Sequence, residues 1–195
     1  SSVPPHDGIS LFLVEAETQG FVRGRKLDKL GLRGQDTSEL FFQDCRVPVS
    51  SLLGGHEGRG FKQLMQKLQQ ERLCIAVASM ASCRRALDDT MDYVKQRRAF
   101  GQPIAGFQNT QFKLAELATE VEVGQAFTDK LLAAHVRHES LVTEVSMAKW
   151  WTTDLQKRLT AECLQLHGGY GFMREYPIST DFADAAVQSI YAGTN

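Results

Sequence analysis

The chain is short of net charge: 22 Lys and Arg stand against 23 Asp and Glu, a formal balance of −1. Such a balance excludes a nucleic-acid or membrane-surface partner held by bulk charge. It also lacks any uncharged apolar run near the roughly 20 residues that span a bilayer. Four cysteines are present, Cys45, Cys74, Cys83 and Cys163, without CxxC or zinc-ligand spacing. A disulfide scaffold and a thiolate metal site are therefore not indicated. Cys74 and Cys83 fall in an apolar stretch and are expected to be reduced core thiols, as in bacterial cytoplasm or a mitochondrial matrix. The first residues, Ser1-Ser2-Val3-Pro4-Pro5, have neither the basic region nor the apolar region of a secretory signal. There is no Walker loop, no GxGxxG, no nucleophile elbow and no ExxH ligand pair. No internal repeat and no low-complexity tract occurs.

What is present is a chain of 195 residues, 43% apolar, enough for one or two domains with a real core. Its composition changes near residue 55. Before that point the signals are β: Ile9–Glu15, Phe21–Gly24, and Leu40–Val47 ended by Pro48. A few strands without a crossover helix do not make a comfortable sheet, so they are expected to complete one whose other strands lie elsewhere. After Gly54-Gly55 the periodicity is helical, with helices expected near 57–67, 69–98, 107–138, 142–168 and 177–187. Gly101-Gln102-Pro103 breaks the second from the third, His167-Gly168-Gly169 stops the fourth, and Pro177 can open the fifth. The stripe Phe112, Leu114, Leu117, Val121, Val123, Phe127, Leu131 and Leu132 gives the third an apolar side. Long helices with short links predict a four-helix bundle, a mainly α fold preceded by strands.

Four segments could carry chemistry. Glu71-Arg72 sits where a helix turns apolar on all sides, since no charge follows Arg72 until Arg84. A carboxylate there is costly unless paired or used. It reads either as a buried ion pair with Arg72 or as a general base whose pKa burial has raised. Lys95-Gln96-Arg97-Arg98-Ala99-Phe100-Gly101 suits an anion with a flat group attached, or is simply a cationic helix end. Gln165-Leu166-His167-Gly168-Gly169-Tyr170-Gly171-Phe172 allows close approach of a ligand, or is an ordinary glycine helix stop. His167, without a carboxylate or nucleophile nearby in sequence, reads as structural. Tyr191-Ala192-Gly193-Thr194-Asn195 is a short loop after a helix. Trp150-Trp151 reads as core filling.

Together these segments resemble the acyl-CoA dehydrogenase family. The stretch Gly31–Pro48, Arg97 to Gly101, Phe107-Gln108, Gln165 to Gly169 and Tyr191 to Thr194 occur in family order at family-like spacing. The likeness covers the whole chain and is greatest for the long-chain and isovaleryl type. It implies that residues 1–54 are the C-terminal part of a middle β-barrel domain. Residues 55–195 would be a helical-bundle domain, cut before its last helix. The family's N-terminal half would be absent, so the chain alone is expected to hold FAD poorly and to be inactive.

The resemblance implies FAD-dependent α,β-dehydrogenation of acyl-CoA thioesters to trans-2-enoyl-CoA. A carboxylate takes the α-proton, the β-hydride goes to flavin N5, and electrons pass to electron-transfer flavoprotein. Many members read Tyr-Glu-Gly-Thr in the last loop, and that Glu is the base; here the position is Ala192. Glu71-Arg72-Leu73 is similar to the Glu-Arg-Leu segment from which the long-chain and isovaleryl branches take their base instead. The resemblance thus assigns proton abstraction to Glu71. It implies FAD contacts from Arg97, Phe100, Gln108, Gln165, Leu166, His167, Gly168 and Gly169, largely to a neighbouring subunit's cofactor. Thr194 and Asn195 would contact FAD within the same subunit. Gln69, Gln70, Arg72, Ala192 and Gly193 would line the acyl-CoA site, with the Ala192 N–H on the thioester oxygen. Members are typically tetramers. An inactive acyl-CoA-dehydrogenase-like scaffold and an acyl-CoA oxidase-type flavoenzyme are the competing readings.

Overall fold

The computed structural model describes residues Pro4 to Asn195. Ser1–Val3, part of the N-terminal stretch without signal character, lie outside the described residues. The chain divides into two compact units, Ser1–Leu68 and Gln69–Asn195.

The first unit holds an antiparallel hairpin of β1 (Phe21–Lys26) and β2 (Ser38–Phe42), in register Phe21 opposite Phe42 and Arg23 opposite Leu40. The expected strand at Phe21–Gly24 is two residues longer. The one expected over Leu40–Val47 stops at Phe42, because Asp44 turns to φ 48° and ends the extended backbone. The strand expected at Ile9–Glu15 reduces to one isolated bridge, Phe12 opposite Leu52. Its partner segment begins as a 3-10 turn over Val49–Ser51, so little extended backbone is available to pair. Val22, Leu40, Phe41, Phe42 and Val49 are exposed. A two-stranded hairpin with its apolar side chains in water is marginal by itself.

The described residues form four α-helices: α1 (Gly60–Gln96), α2 (Gln108–Val136), α3 (Val142–His167) and α4 (Pro177–Gln188). The two helices expected at 57–67 and 69–98 are one. No glycine or proline lies between Gly60 and Gln96 to stop propagation, and Leu, Met, Gln and Lys at 64–70 favour helix. The strands β3 (Arg98–Ala99) and β4 (Gln102–Pro103) form a tight hairpin between α1 and α2. Its two turn residues, Phe100 at φ 51° and Gly101 at φ 84°, are both left-handed, which a two-residue turn of this twist demands.

The core of the second unit draws on all four helices. Met80, Cys83, Ala86 and Leu87 of α1 meet Leu117 and Val121 of α2, Leu155, Leu159 and Cys163 of α3, and Ile178 of α4. A smaller cluster joins Leu73 and Ala76 to Leu131, Ala134, Leu141, Val145 and Ala148. Of the expected stripe on α2, Leu117, Val121 and Leu131 are buried, whereas Phe112, Val123 and Leu132 are exposed. Trp150, expected in the core, is exposed, while Trp151 packs against the main cluster. Adjacent helical residues point about 100° apart, so only one of the pair can face inward. All four cysteines are free; Cys83 and Cys163 are buried, but Cys74 is exposed, contrary to expectation. Burial pushes the Cys83 thiol up to about 12 and the Cys163 thiol up to about 11.

Candidate functional site

Two groups of side chains, both within the second unit, gather residues that are remote in sequence. One forms a cavity of about 510 Å³, lined by Tyr93 and Arg97 at the end of α1, Ile104, Gln165 to His167 at the end of α3, and Gly168, Gly169, Tyr170 and Met173 in the following turn. The Arg97 guanidinium lies 5.2 Å from the centre of the Tyr170 ring, a cation over an aromatic face. The Tyr93 ring stacks on His167 at 4.2 Å, and its hydroxyl donates to the His167 carbonyl at 3.1 Å. His167 is buried, and its Nδ1 lies 2.8 Å from the Cys163 carbonyl. That carbonyl can only accept, so Nδ1 carries the proton. His167 is thus a wall of the cavity, as its structural reading expected. One arginine, flat aromatic and peptide surfaces and two adjacent glycines make a place for an anionic group joined to a planar one.

The second group holds the C-terminal loop. Arg72 of α1 donates from Nε to the Ala192 carbonyl at 3.1 Å and from Nη1 to Ser146 at 2.8 Å. Lys149 of α3 donates to the Gly193 carbonyl at 2.7 Å and to Asn195 Oδ1 at 2.8 Å. Asn195 in turn donates from Nδ2 to Thr153 and Asp154. The loop is bent through left-handed residues, Ala192 at φ 51° and Gly193 at φ 97°. A non-glycine residue held there points to a constrained functional segment. The approach is close as well: a Cβ on Gly193 would meet Arg72 Nη2 at 3.0 Å.

The two expectations for Glu71 both change. Glu71 is exposed, not buried. It does not pair with Arg72, which bonds Ala192 and Ser146 instead. The helix phase that turns Arg72 toward α3 and the loop turns Glu71 outward. Gln69 bonds the link between α2 and α3, through the Glu139 carbonyl and the Leu141 N–H, each at 3.2 Å. Gln70 is exposed. Phe100 is 94% exposed at the tip of the hairpin, with its ring edge-on to Phe107. Gln108, exposed at the start of α2, does not line the cavity, and Thr194 is exposed.

Sequence reasoning missed Tyr93, Ser146 and Lys149. The last had a signal: Lys149 is the one charge between Val145 and Thr153. Among the described residues no group of three or more His, Cys, Asp and Glu could hold a metal ion, and no helix is long and apolar enough to cross a membrane.

A helical bundle that follows a β segment in the chain, with an arginine-and-glycine cavity at one helix end and a clamped loop at its C-terminus, has close counterparts. The family model for the acyl-CoA dehydrogenase C-terminal domain matches residues 58–195. The chain therefore belongs to the acyl-CoA dehydrogenase family. It is 51% identical over 191 residues to the mitochondrial long-chain specific acyl-CoA dehydrogenase of Mus musculus, covering 98% of this chain and 44% of that protein. To an acyl-CoA dehydrogenase of Bacillus subtilis it is 42% identical, covering 96% of this chain and 49% of the relative. The crystal structure of an acyl-CoA dehydrogenase from Geobacillus kaustophilus superposes with a TM-score of 0.96 at 55% identity, over 98% of this chain and 50% of that one. The chain thus spans about half the length of the relatives it matches.

Proposed function

We propose that the chain forms the C-terminal part of an FAD-dependent acyl-CoA dehydrogenase that converts acyl-CoA thioesters to trans-2-enoyl-CoA, with Glu71 as the base. The observation that carries the reading is the cavity. Arg97 and Gln165 to Gly169, picked out separately as candidate cofactor residues, line one space although about 70 residues apart. The donor set fits part of FAD: a guanidinium for a phosphate, and flat Tyr93, Tyr170 and peptide surfaces for a planar group. Bound FAD supplies the hydride-accepting chemistry.

This chain's own residues do the rest. Glu71 takes the α-proton of the thioester. It is one residue from Arg72, whose guanidinium holds the Ala192 carbonyl, so the base and the loop are anchored to the same helical turn. The Ala192 N–H donates to the thioester oxygen and stabilises the charge that gathers there as the proton leaves. Glu71 is exposed, and an apolar acyl chain settling beside it shields the carboxylate from water. Ala192 cannot act as a base, and Glu71 supplies the missing carboxylate.

The reading extends to the remaining expectations. Residues 1–54 belong to the middle domain and 55–195 to the bundle. The exposed Phe112, Val123, Met147 and Trp150 on α2 and α3 suit burial against another subunit, as in a tetramer. Electron-transfer flavoprotein takes the electrons, in a mitochondrial matrix or a bacterial cytoplasm.

The test is anaerobic flavin bleaching, by a series of acyl-CoA thioesters, of the FAD-loaded full-length protein that contains this chain. Wild type bleaches. Glu71→Gln binds FAD but loses bleaching by about 100-fold or more, the usual weight of a general base. Normal bleaching in that variant removes Glu71 from the role. No bleaching of wild type by any acyl-CoA favours an inactive scaffold.

A further inference from the structure

Lys149 is an ammonium in an apolar stretch, 3% exposed. A buried charge of this kind persists only where it is bonded, and its bonds go to the Gly193 carbonyl and the Asn195 side chain. Burial lowers its pKa, the nearby Arg72 guanidinium lowers it further, and Asp154 opposes both. Two cations from different helices thus hold two successive carbonyls: Arg72 that of Ala192, and Lys149 that of Gly193.

The backbone then decides where the N–H groups point. The peptide bonds are all trans, so each N–H is directed opposite the carbonyl of the same peptide unit. The Gly193 N–H faces away from Arg72, and the Thr194 N–H away from Lys149. Among the described residues, the N–H groups of Ala192, Gly193 and Thr194 donate to no protein group. Three consecutive N–H groups of the loop are thus left without a partner in the chain.

We propose that Lys149 is a positioning residue for the reaction: by holding the Gly193 carbonyl and the Asn195 amide, it keeps the free N–H groups of Ala192 to Thr194 presented to the thioester oxygen of the acyl-CoA. The inference rests on the acyl-CoA dehydrogenase reading. Lys149 touches no substrate and acts through the loop. A lysine that served only packing would behave differently. Its exchange for methionine, similar in volume and apolar, removes the cost of a buried charge and leaves stability equal or higher.

The test compares Lys149→Met and Lys149→Arg with wild type in the FAD-loaded full-length protein that contains this chain. In Lys149→Met the limiting rate of anaerobic flavin bleaching falls by about 100-fold, the scale of a lost oxyanion donor. The rate is taken per bound FAD, and the acyl-CoA Kd stays within about threefold of wild type. Lys149→Arg recovers most of the rate, because a guanidinium can donate to both acceptors. A second readout needs no activity: backbone 15N order parameters of Ala192 to Asn195 without acyl-CoA. They fall from near 0.85 to below about 0.6 in Lys149→Met. An unchanged bleaching rate per bound FAD or unchanged order parameters overturns the proposal, and so does a fall in melting temperature that parallels the loss of rate. If wild type itself is not bleached, the catalytic reading fails, and the order parameters decide alone whether Lys149 holds the loop.

Discussion

Gly124→Ala is the substitution whose effect the bundle determines most directly. Gly124 is buried in the middle of α2. A methyl group built there would lie 2.7 Å from Met80 Sδ, 2.8 Å from Met80 Cε and 2.7 Å from the Trp151 ring edge. All three separations are well below van der Waals contact. The Met80 terminus can swing, but the Trp151 ring is rigid, so the helices or the ring must shift. Overpacking of this kind costs about 1–3 kcal/mol. Alanine returns about 0.5–1 kcal/mol by stiffening the unfolded chain and favouring helix. The balance is a loss of about 1 kcal/mol, or about 2–4 °C in Tm for a chain of this size. Thermal melts followed by circular dichroism measure it. In a Met80→Ala background the penalty shrinks, because part of the obstruction is gone and contacting sites are not additive. A melting temperature for Gly124→Ala equal to or above wild type would refute the claim that α1, α2 and α3 meet at that point. Strict additivity with Met80→Ala would remove Met80 from the account.

The buried thiols and the buried carboxylate give two more tests. At about pH 8 the Cys83 thiol, pushed up to about 12, is ionised on the order of one part in ten thousand. An aromatic disulfide reagent therefore titrates Cys45 and Cys74 in the folded protein, and Cys83 and Cys163 only after unfolding; fast reaction of all four would contradict the burial. Asp181, ion-paired with Arg85, is nonetheless raised above its ordinary 3.8, chiefly by burial. Its raised folded value adds stability that is fully present below the unfolded value and is lost as pH rises through the folded one. Urea midpoints of Asp181→Asn should therefore gain on wild type as pH climbs from 3.8 upward, and parallel curves would show that burial does not control this carboxyl.

Local chemistry made much of the fold legible. The glycine stop after His167 and the proline start at Pro177 bound α3 and α4 as expected, because these residues act through their own dihedral limits. The Gly101-Gln102-Pro103 break holds for the same reason. The strand at Ile9–Glu15 was not legible in this way. Strand formation depends on what lies opposite, and the segment opposite begins as a 3-10 turn. The break expected near residue 68 had no glycine or proline behind it, and α1 runs through.

The candidate site divides along the same line. Residue type and order in the chain were enough to single out Glu71, Arg97, Gln165 to Gly169 and the Tyr191–Asn195 loop, since arginines, glycine pairs and a lone carboxylate carry their chemistry in the side chain. Orientation was not legible. Only the packed helices show that Arg72 turns in to grip Ala192 while Glu71 turns out, and that Lys149 reaches the next carbonyl. These contacts join residues 44 to 120 positions apart. Their geometry follows from helix phase and helix packing, which no window of sequence contains.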